Sequence, residues 1–208
     1  MTYPTVISFY TKTWEYVEHA NRLKQECESL NLDYHIVEKE DTGSWLGNTR
    51  LKPEFILEAL KELKKPVLWI DVDGSILRQP TELQLPFNYD FLGVHQRIGP
   101  KRTWHVGTMV FNYTPKMLAL LQAWVDAAND SKSGTDEASF ESVWQANRVP
   151  MNLFGKELPL RYFTIEKSSY NECSNAVIRH RLSKCESKME MKKSKAKDET
   201  VNNPTILP

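Results

Sequence analysis

The segment Val67-Leu-Trp-Ile-Asp-Val-Asp-Gly-Ser75 sets two carboxylates, Asp71 and Asp73, directly after a wholly apolar run. In an extended chain, residues two apart project the same way, so both acids would stand on one side of a strand's C-terminal end. Ligands of open parallel sheets bind at that edge. Two like charges there repel each other unless something cationic lies between them. Hard divalent ions accept such oxygen ligands, and an ion bridging to a diphosphate would neutralise both partners. Asp and Gly also favour turns, so a polar turn closing the strand fits the same residues.

The surrounding elements decide where these carboxylates would sit. Val6–Tyr10 and Tyr34–Val37 read as short strands, and Val67–Ile70 as one buried on both faces. Between the first two, Trp14, Val17, Ala20, Leu23, Cys27 and Leu30 recur at helical spacing. Between the second and third, Phe55, Ile56, Ala59, Leu60 and Leu63 form a stripe, with Pro53 placed where a first helical turn tolerates it. Strand, helix, strand, helix, strand implies parallel βαβ units and an α/β fold. Further strands are expected at Phe91–His95 and Thr108–Asn112, and helices near Pro115–Asn129 and Asp136–Ala146. The polar stretch from Asp130 to Thr135 reads as a loop.

The 208 residues suit one domain, and 27 basic against 27 acidic residues give zero formal charge. That zero is a sum of unlike parts: residues 179–197 carry eight basic and two acidic side chains, while residues 1–178 carry 19 basic and 23 acidic. A surface built throughout for nucleic acid is excluded, but a basic C-terminal tail over 185–208, solvated helix or disorder, is not. The domain proper is expected over 1–184. Cys27, Cys173 and Cys185 are odd in number and hold no CxxC pair, which argues against a disulfide framework or zinc knuckle. Without a signal-like N-terminus or a long apolar stretch, the expectation is a cytoplasmic protein with no transmembrane segment.

Two known patterns share the apolar strand followed by DxD. One is the DxDG[ST] motif of haloacid-dehalogenase phosphatases, with Asp71 as nucleophile. The other is the DxD of GT-A glycosyltransferases. Phosphatases of the first kind usually carry the motif near the N-terminus, whereas here two βαβ units precede it, and the later acidic pair Asp136-Glu137 opens a predicted helix. Across residues 5–184 the chain resembles a small GT-A glycosyltransferase of the nucleotide-diphospho-sugar transferase type. The resemblance rests on Ser8–Thr11, Gly43–Trp45 with Asn48 and Lys52, Val67–Asp73, Trp104–Asn112, Asp136-Glu137 and Ala176–Lys184. It implies a Rossmann-like, mostly parallel sheet flanked by helices, as a single domain.

The resemblance also implies roles. Asp71, Asp73 and His180 would hold Mn²⁺ or Mg²⁺. Tyr10, Thr11, Asn48, Lys52, Asp71 and Val72 would line the nucleotide. A lysine before Pro53 would oppose a helix dipole, which hints that Lys52 has another task. Lys184 would meet the departing diphosphate. Trp104, Gly107 and Thr108 would lie on the sugar and acceptor side, and Asp136 or Glu137 would bind sugar hydroxyls or act as base. Trp69, Trp124 and Trp144 read as core.

The resulting expectation is metal-dependent transfer of a sugar, UDP-linked by preference, to a hydroxyl acceptor. Small chains of this type in bacteria and their viruses suggest a bacterial or phage-infected cytoplasm. They also suggest DNA carrying a hydroxymethylated base as acceptor, with a glycan as the other candidate. The alternatives are the DVDGS phosphatase and a nucleotide-sugar-binding module without turnover.

Overall fold

The computed structural model describes residues 1–12, 16–98, 101–130, 135–165 and 174–180. The elements run β1 (Thr5–Tyr10), α1 (Tyr16–Ser29), β2 (Tyr34–Glu38), α2 (Trp45–Leu63), β3 (Val67–Ile70) and β4 (Gly74–Ile76), then β5 (Phe91–Ile98), β6 (Lys101–Phe111), α3 (Pro115–Asn129), α4 (Asp136–Asn147), β7 (Gly155–Glu157), β8 (Thr164–Ile165) and β9 (Ile178–His180). The main sheet has the order β2-β1-β3-β6-β5-β7, and a small second sheet has the order β4-β9-β8. β1 pairs in parallel with both β2 and β3, and β5 with β7, while β6 lies antiparallel between β3 and β5. The mostly parallel, helix-flanked single domain expected from the sequence is what the chain forms.

Strand alternation divides the core between the two faces. Ile7, Trp69 and Met109 pack with Phe55, Ile56 and Leu60 of α2, Leu120 and Trp124 of α3, and Phe140 and Trp144 of α4. Val6, Leu68, Ile70 and Val110 pack with Ala20, Leu23 and Cys27 of α1 and with Ile76 and Ile178 of the second sheet. Trp69, Trp124 and Trp144 are core residues, as read. Val17, expected on the buried stripe of α1, is exposed, and Trp14 lies outside the described residues.

Helix α2 corrects one boundary. It starts at Trp45, not at the turn holding Pro53, because Ser44 in extended conformation caps it by accepting the Gly47 N–H at 3.0 Å. Pro53 is therefore interior. A proline there removes the intrahelical donor for the Thr49 carbonyl, a defect that packing of Phe55, Ile56, Ala59 and Leu60 against the sheet outweighs. The helix ends at Lys64 in left-handed conformation, whose N–H returns to the Leu60 carbonyl.

Candidate active site

The two aspartates converge by a turn and not by an extended strand. After Ile70 the backbone folds so that the Asp71 carbonyl accepts the Gly74 N–H at 2.7 Å, and Gly74 begins β4 in the second sheet. The polar turn and the paired carboxylates are thus the same feature. β4 runs antiparallel to β9 with Gly74 opposite His180, which brings the imidazole to the turn across more than a hundred residues of chain. Asp71, Asp73 and His180 each offer a ligand atom within 4.8 Å of the others.

A bulge in β6 builds the floor. The register against β5 jumps from Gly93↔Met109 to Val94↔His105, so Val106, Gly107 and Thr108 have no partner there and bow out of that ladder. Each of the three serves the site. The Val106 carbonyl accepts from Lys52 Nζ at 3.3 Å, the Gly107 carbonyl accepts the Asp71 N–H at 2.9 Å, and Thr108 Oγ1 lies 2.7 Å from His180 Nε2. Assigning the Nε2 proton to that bond leaves Nδ1 of His180 with its lone pair. Gly107 is obligatory for space. A Cβ there would lie 2.4 Å from His105 Cε1, 2.9 Å from His180 Cε1 and 3.0 Å from Asp71 Oδ2.

Lys52 is buried midway along α2, where no helix-end dipole opposes it. Its ammonium contacts Asp71 Oδ1 at 2.9 Å and Asp136 Oδ2 at 2.5 Å. Burial works against this charge, but Asp136 and Asp71 outweigh it and raise the lysine above its usual range. Trp69 Nε1 also donates to Asp71 Oδ1, at 3.0 Å. From α1, Arg22 donates to the Asp73 and Gly74 carbonyls at 3.2 and 3.0 Å, and Glu26 accepts the Ile76 N–H at 2.8 Å, so the turn is clamped from a second side.

The charge balance fits a cation. Desolvation first, and then the charge of Asp71, push the Asp73 carboxyl well above the usual carboxylate range, and neither Lys52 nor Arg22 cancels the effect. Burial lowers His180 to about 4, against the pull of Asp71, so the ring is neutral and able to ligate. Two carboxylates and an imidazole suit a divalent ion such as Mn²⁺, and Mg²⁺ through its oxygen ligands.

The remaining sites divide. Tyr10 ends β1 with the Lys24 ammonium 5.5 Å over its ring, and Thr11 is buried beside it. Val72 is buried in the turn. Asn48 bonds to Asp41 and Thr42, tying the loop before α2 to the helix. Asp136 is buried with Lys52, whereas Glu137 accepts from Gln96 Nε2 and, at 3.4 Å, from Thr103 Oγ1. Desolvation raises Glu137. Trp104 is 5% exposed, packed face to face on His95 at 3.5 Å and edge-on to Phe91 and Trp144. It belongs to the core and lines a separate cavity, not the carboxylate cluster. Lys184 and the tail lie outside the described residues.

Sequence reasoning missed His105, Arg22 and Glu26. His105 stacks on Phe163 at 3.6 Å, meets His180 edge-on at 4.9 Å and accepts the Gly107 N–H at 3.2 Å through Nδ1. Burial, then His180 and Lys52, drive its pKa well down. Its only sequence signal was the spacing of two from Gly107.

No protein-family profile matches the chain, and no curated protein sequence matches it. Solved structures do. A glycosyltransferase involved in the glycosylation of the major capsid of PBCV-1 aligns with TM-score 0.67 at 12% identity, covering 93% of this chain and all of the other. The glycosyltransferase GlyE of Streptococcus pneumoniae TIGR4, in its apo form, aligns with TM-score 0.57 at 12% identity over 88% of this chain. The WbbM bifunctional glycosyltransferase aligns with TM-score 0.54 at 13% identity over 86%. This chain spans 55% of the GlyE chain and 45% of the WbbM chain. The fold is therefore one that glycosyltransferases share. Among the described residues, no helix is long and apolar enough to cross a membrane.

Proposed function

We propose that the protein transfers a sugar from a nucleotide diphosphate donor, UDP-linked by preference, to a hydroxyl acceptor. The observation that carries this reading is the meeting of Asp71, Asp73 and His180 at the end of β3, within a glycosyltransferase fold. The three would hold Mn²⁺ or Mg²⁺, and such an ion supplies neutralisation of the departing diphosphate. The residues around them divide the remaining work. Thr108 holds the His180 ring, and Lys52 orients Asp71 and balances it. Tyr10, Thr11 and Val72 flank the nucleotide, and Asn48 shapes that edge by holding its loop. Asp136, held by the Lys52 ammonium, serves as acceptor of sugar hydroxyl hydrogen bonds. Glu137, held by neutral partners and raised by burial, is the better placed of the two to take the acceptor proton. Gly107, by lacking a side chain, lets Asp71, His180 and His105 close over the β6 backbone beneath the donor.

The transferase domain would span 1–184. Lys184 at its end and the tail 185–208 would add positive charge for the diphosphate or for a polyanionic acceptor such as DNA carrying a hydroxymethylated base, a glycan being the other candidate acceptor, in a bacterial or phage-infected cytoplasm. The phosphatase reading finds less support, because Lys52 and Trp69 already engage Asp71 through Oδ1.

Calorimetric titration of UDP with Mn²⁺ into the protein and into Asp73→Ala tests the proposal. Binding by the wild type that is lost in the variant is expected; equal binding by both, or by neither, would sink it. Release of phosphate from an aryl phosphate, abolished by Asp71→Asn, would establish the phosphatase instead.

A further inference from the structure

Helix α4 joins the carboxylate cluster to a second site. Asp136 at its first turn meets Lys52 beside Asp71, and from there Glu137, Glu141, Gln145 and Arg148 follow at spacings of four, four and three, which place them on one helical face. That face lies along the β5–β6 hairpin: Glu137 accepts from Gln96 and Thr103, Glu141 accepts the Trp104 N–H at 3.1 Å, and Gln145 donates to Glu141 at 2.7 Å. At its far end is a cavity of about 560 Å³, lined by His95, Trp104, Trp144, Arg148, Phe154 and Glu157 among others. At 1.5 Å per residue, the rise from Asp136 to Arg148 is about 18 Å. One sugar unit cannot touch both ends, but a chain of them can.

The lining has the character of a saccharide site. Its volume lies within the usual range for small-ligand pockets, about 300–1,000 Å³. Its rim carries Phe154, 60% exposed, an aromatic ring available to the apolar face of a pyranose. Polar side chains of Arg148, Asn152 and Glu157 line the cavity beside it. Burial, with the nearby charge of Arg102, lowers the His95 pKa, so that ring is neutral. Of the lining groups, Arg148 and Glu157 carry opposite charges. Glu157 is paired with Arg102, which leaves Arg148 as one cation among the described lining residues; nucleic acid binding demands several uncompensated cations, so this polar and aromatic lining suits a sugar and not a phosphate backbone.

We propose that this cavity is an acceptor subsite, and that the acceptor is an oligosaccharide whose distal unit sits between Phe154, Arg148 and Glu157 while its terminal hydroxyl reaches Glu137. The inference rests on the transferase reading and names its acceptor class. The test uses the full chain and an array of neutral monosaccharides and oligosaccharides, with hits titrated by intrinsic tryptophan fluorescence, because Trp104 and Trp144 line the cavity. Binding of at least one oligosaccharide of two or more units is expected. Arg148→Ala should weaken it about tenfold, the loss of one charge-assisted hydrogen bond. Phe154→Ala should weaken it by a similar factor, and Arg148→Lys should restore part of the loss. In transfer assays both alanine variants should raise the KM for the oligosaccharide more than they lower kcat. Thermal midpoints of these surface variants serve as the folding control. No binding by any saccharide, binding indifferent to both substitutions, or duplex DNA as the species whose binding depends on Arg148 would each overturn the inference. Titration of the wild type with Mn²⁺ and UDP reports separately on the donor, so failure of the subsite and failure of the transferase reading are told apart.

Discussion

Replacing Gly107 by alanine adds one methyl group at the point where the bulge of β6 passes beneath the carboxylate turn. Ordinary carbon contacts lie near 3.5–4.0 Å. The new Cβ would stand 2.4 Å from His105 Cε1, 2.9 Å from His180 Cε1 and 3.0 Å from Asp71 Oδ2. None of these groups can yield freely. His105 is stacked on Phe163, His180 is tied to Thr108, and Asp71 is held by Lys52 and Trp69. Overpacking of this kind costs about 1–3 kcal/mol. The functional loss should be larger than that figure suggests, because two of the three proposed ligands move. Displacing the supports of metal ligands typically costs about 10–100-fold in metal affinity. Urea denaturation would read the first effect, and calorimetric titration of Mn²⁺ with and without UDP the second. A midpoint unchanged from wild type, together with wild-type Mn²⁺ affinity, would refute the claim that the missing side chain makes room for the site.

Two further predictions concern buried charge. Lys52→Met keeps the apolar stem but leaves Asp71 and Asp136 without their shared ammonium, and breaking a buried pair in this way costs about 3–5 kcal/mol. A loss under 1 kcal/mol in urea denaturation would show that the cluster is more solvated than its burial implies. Cys27 is fully buried, and desolvation, then the charges of Glu26 and Glu28, push its thiol up to about 12 from an ordinary value near 9. A raised folded pKa means that the contribution to stability is complete below about pH 9 and declines as pH rises through the folded value. The stability difference between wild type and Cys27→Ala should therefore shrink above pH 9, and Cys27 should resist alkylation at pH 8 in native protein. A constant difference from pH 8 to 10.5, or rapid native-state alkylation of Cys27, would contradict this.

Much of the architecture could be read from local pattern because periodicity is a local property. The helices expected near Pro115–Asn129 and from Asp136 formed there, and β3 where its apolar run placed it. The miss at α2 is instructive. Pro53 looked like a beginning because prolines suit first turns, but the capping Ser44 lay nine residues earlier, and the buried Phe55, Ile56, Ala59 and Leu60 after the proline carry the helix through the defect.

By itself, then, the sequence determined the order of strands and helices, the place of Asp71 and Asp73 at the end of a buried strand, and the candidacy of His180, Lys52 and Asp136. The order and the two aspartates follow from side-chain type and short spacing; the candidacy of His180, Lys52 and Asp136 follows from the resemblance to GT-A glycosyltransferases. Only the tertiary structure decided how they meet. The aspartates join through a turn, His180 arrives by pairing of β9 with β4, and a three-residue bulge in β6 supplies the Val106 and Gly107 carbonyls and the Thr108 hydroxyl. It also packed Trp104 into the core, apart from the carboxylate cluster, and gave Lys52 two carboxylates to hold. The physical reason is that strand pairing and bulge register depend on residues far apart in the chain, whose energies are set by the completed sheet and its two cores and not by any short window of sequence.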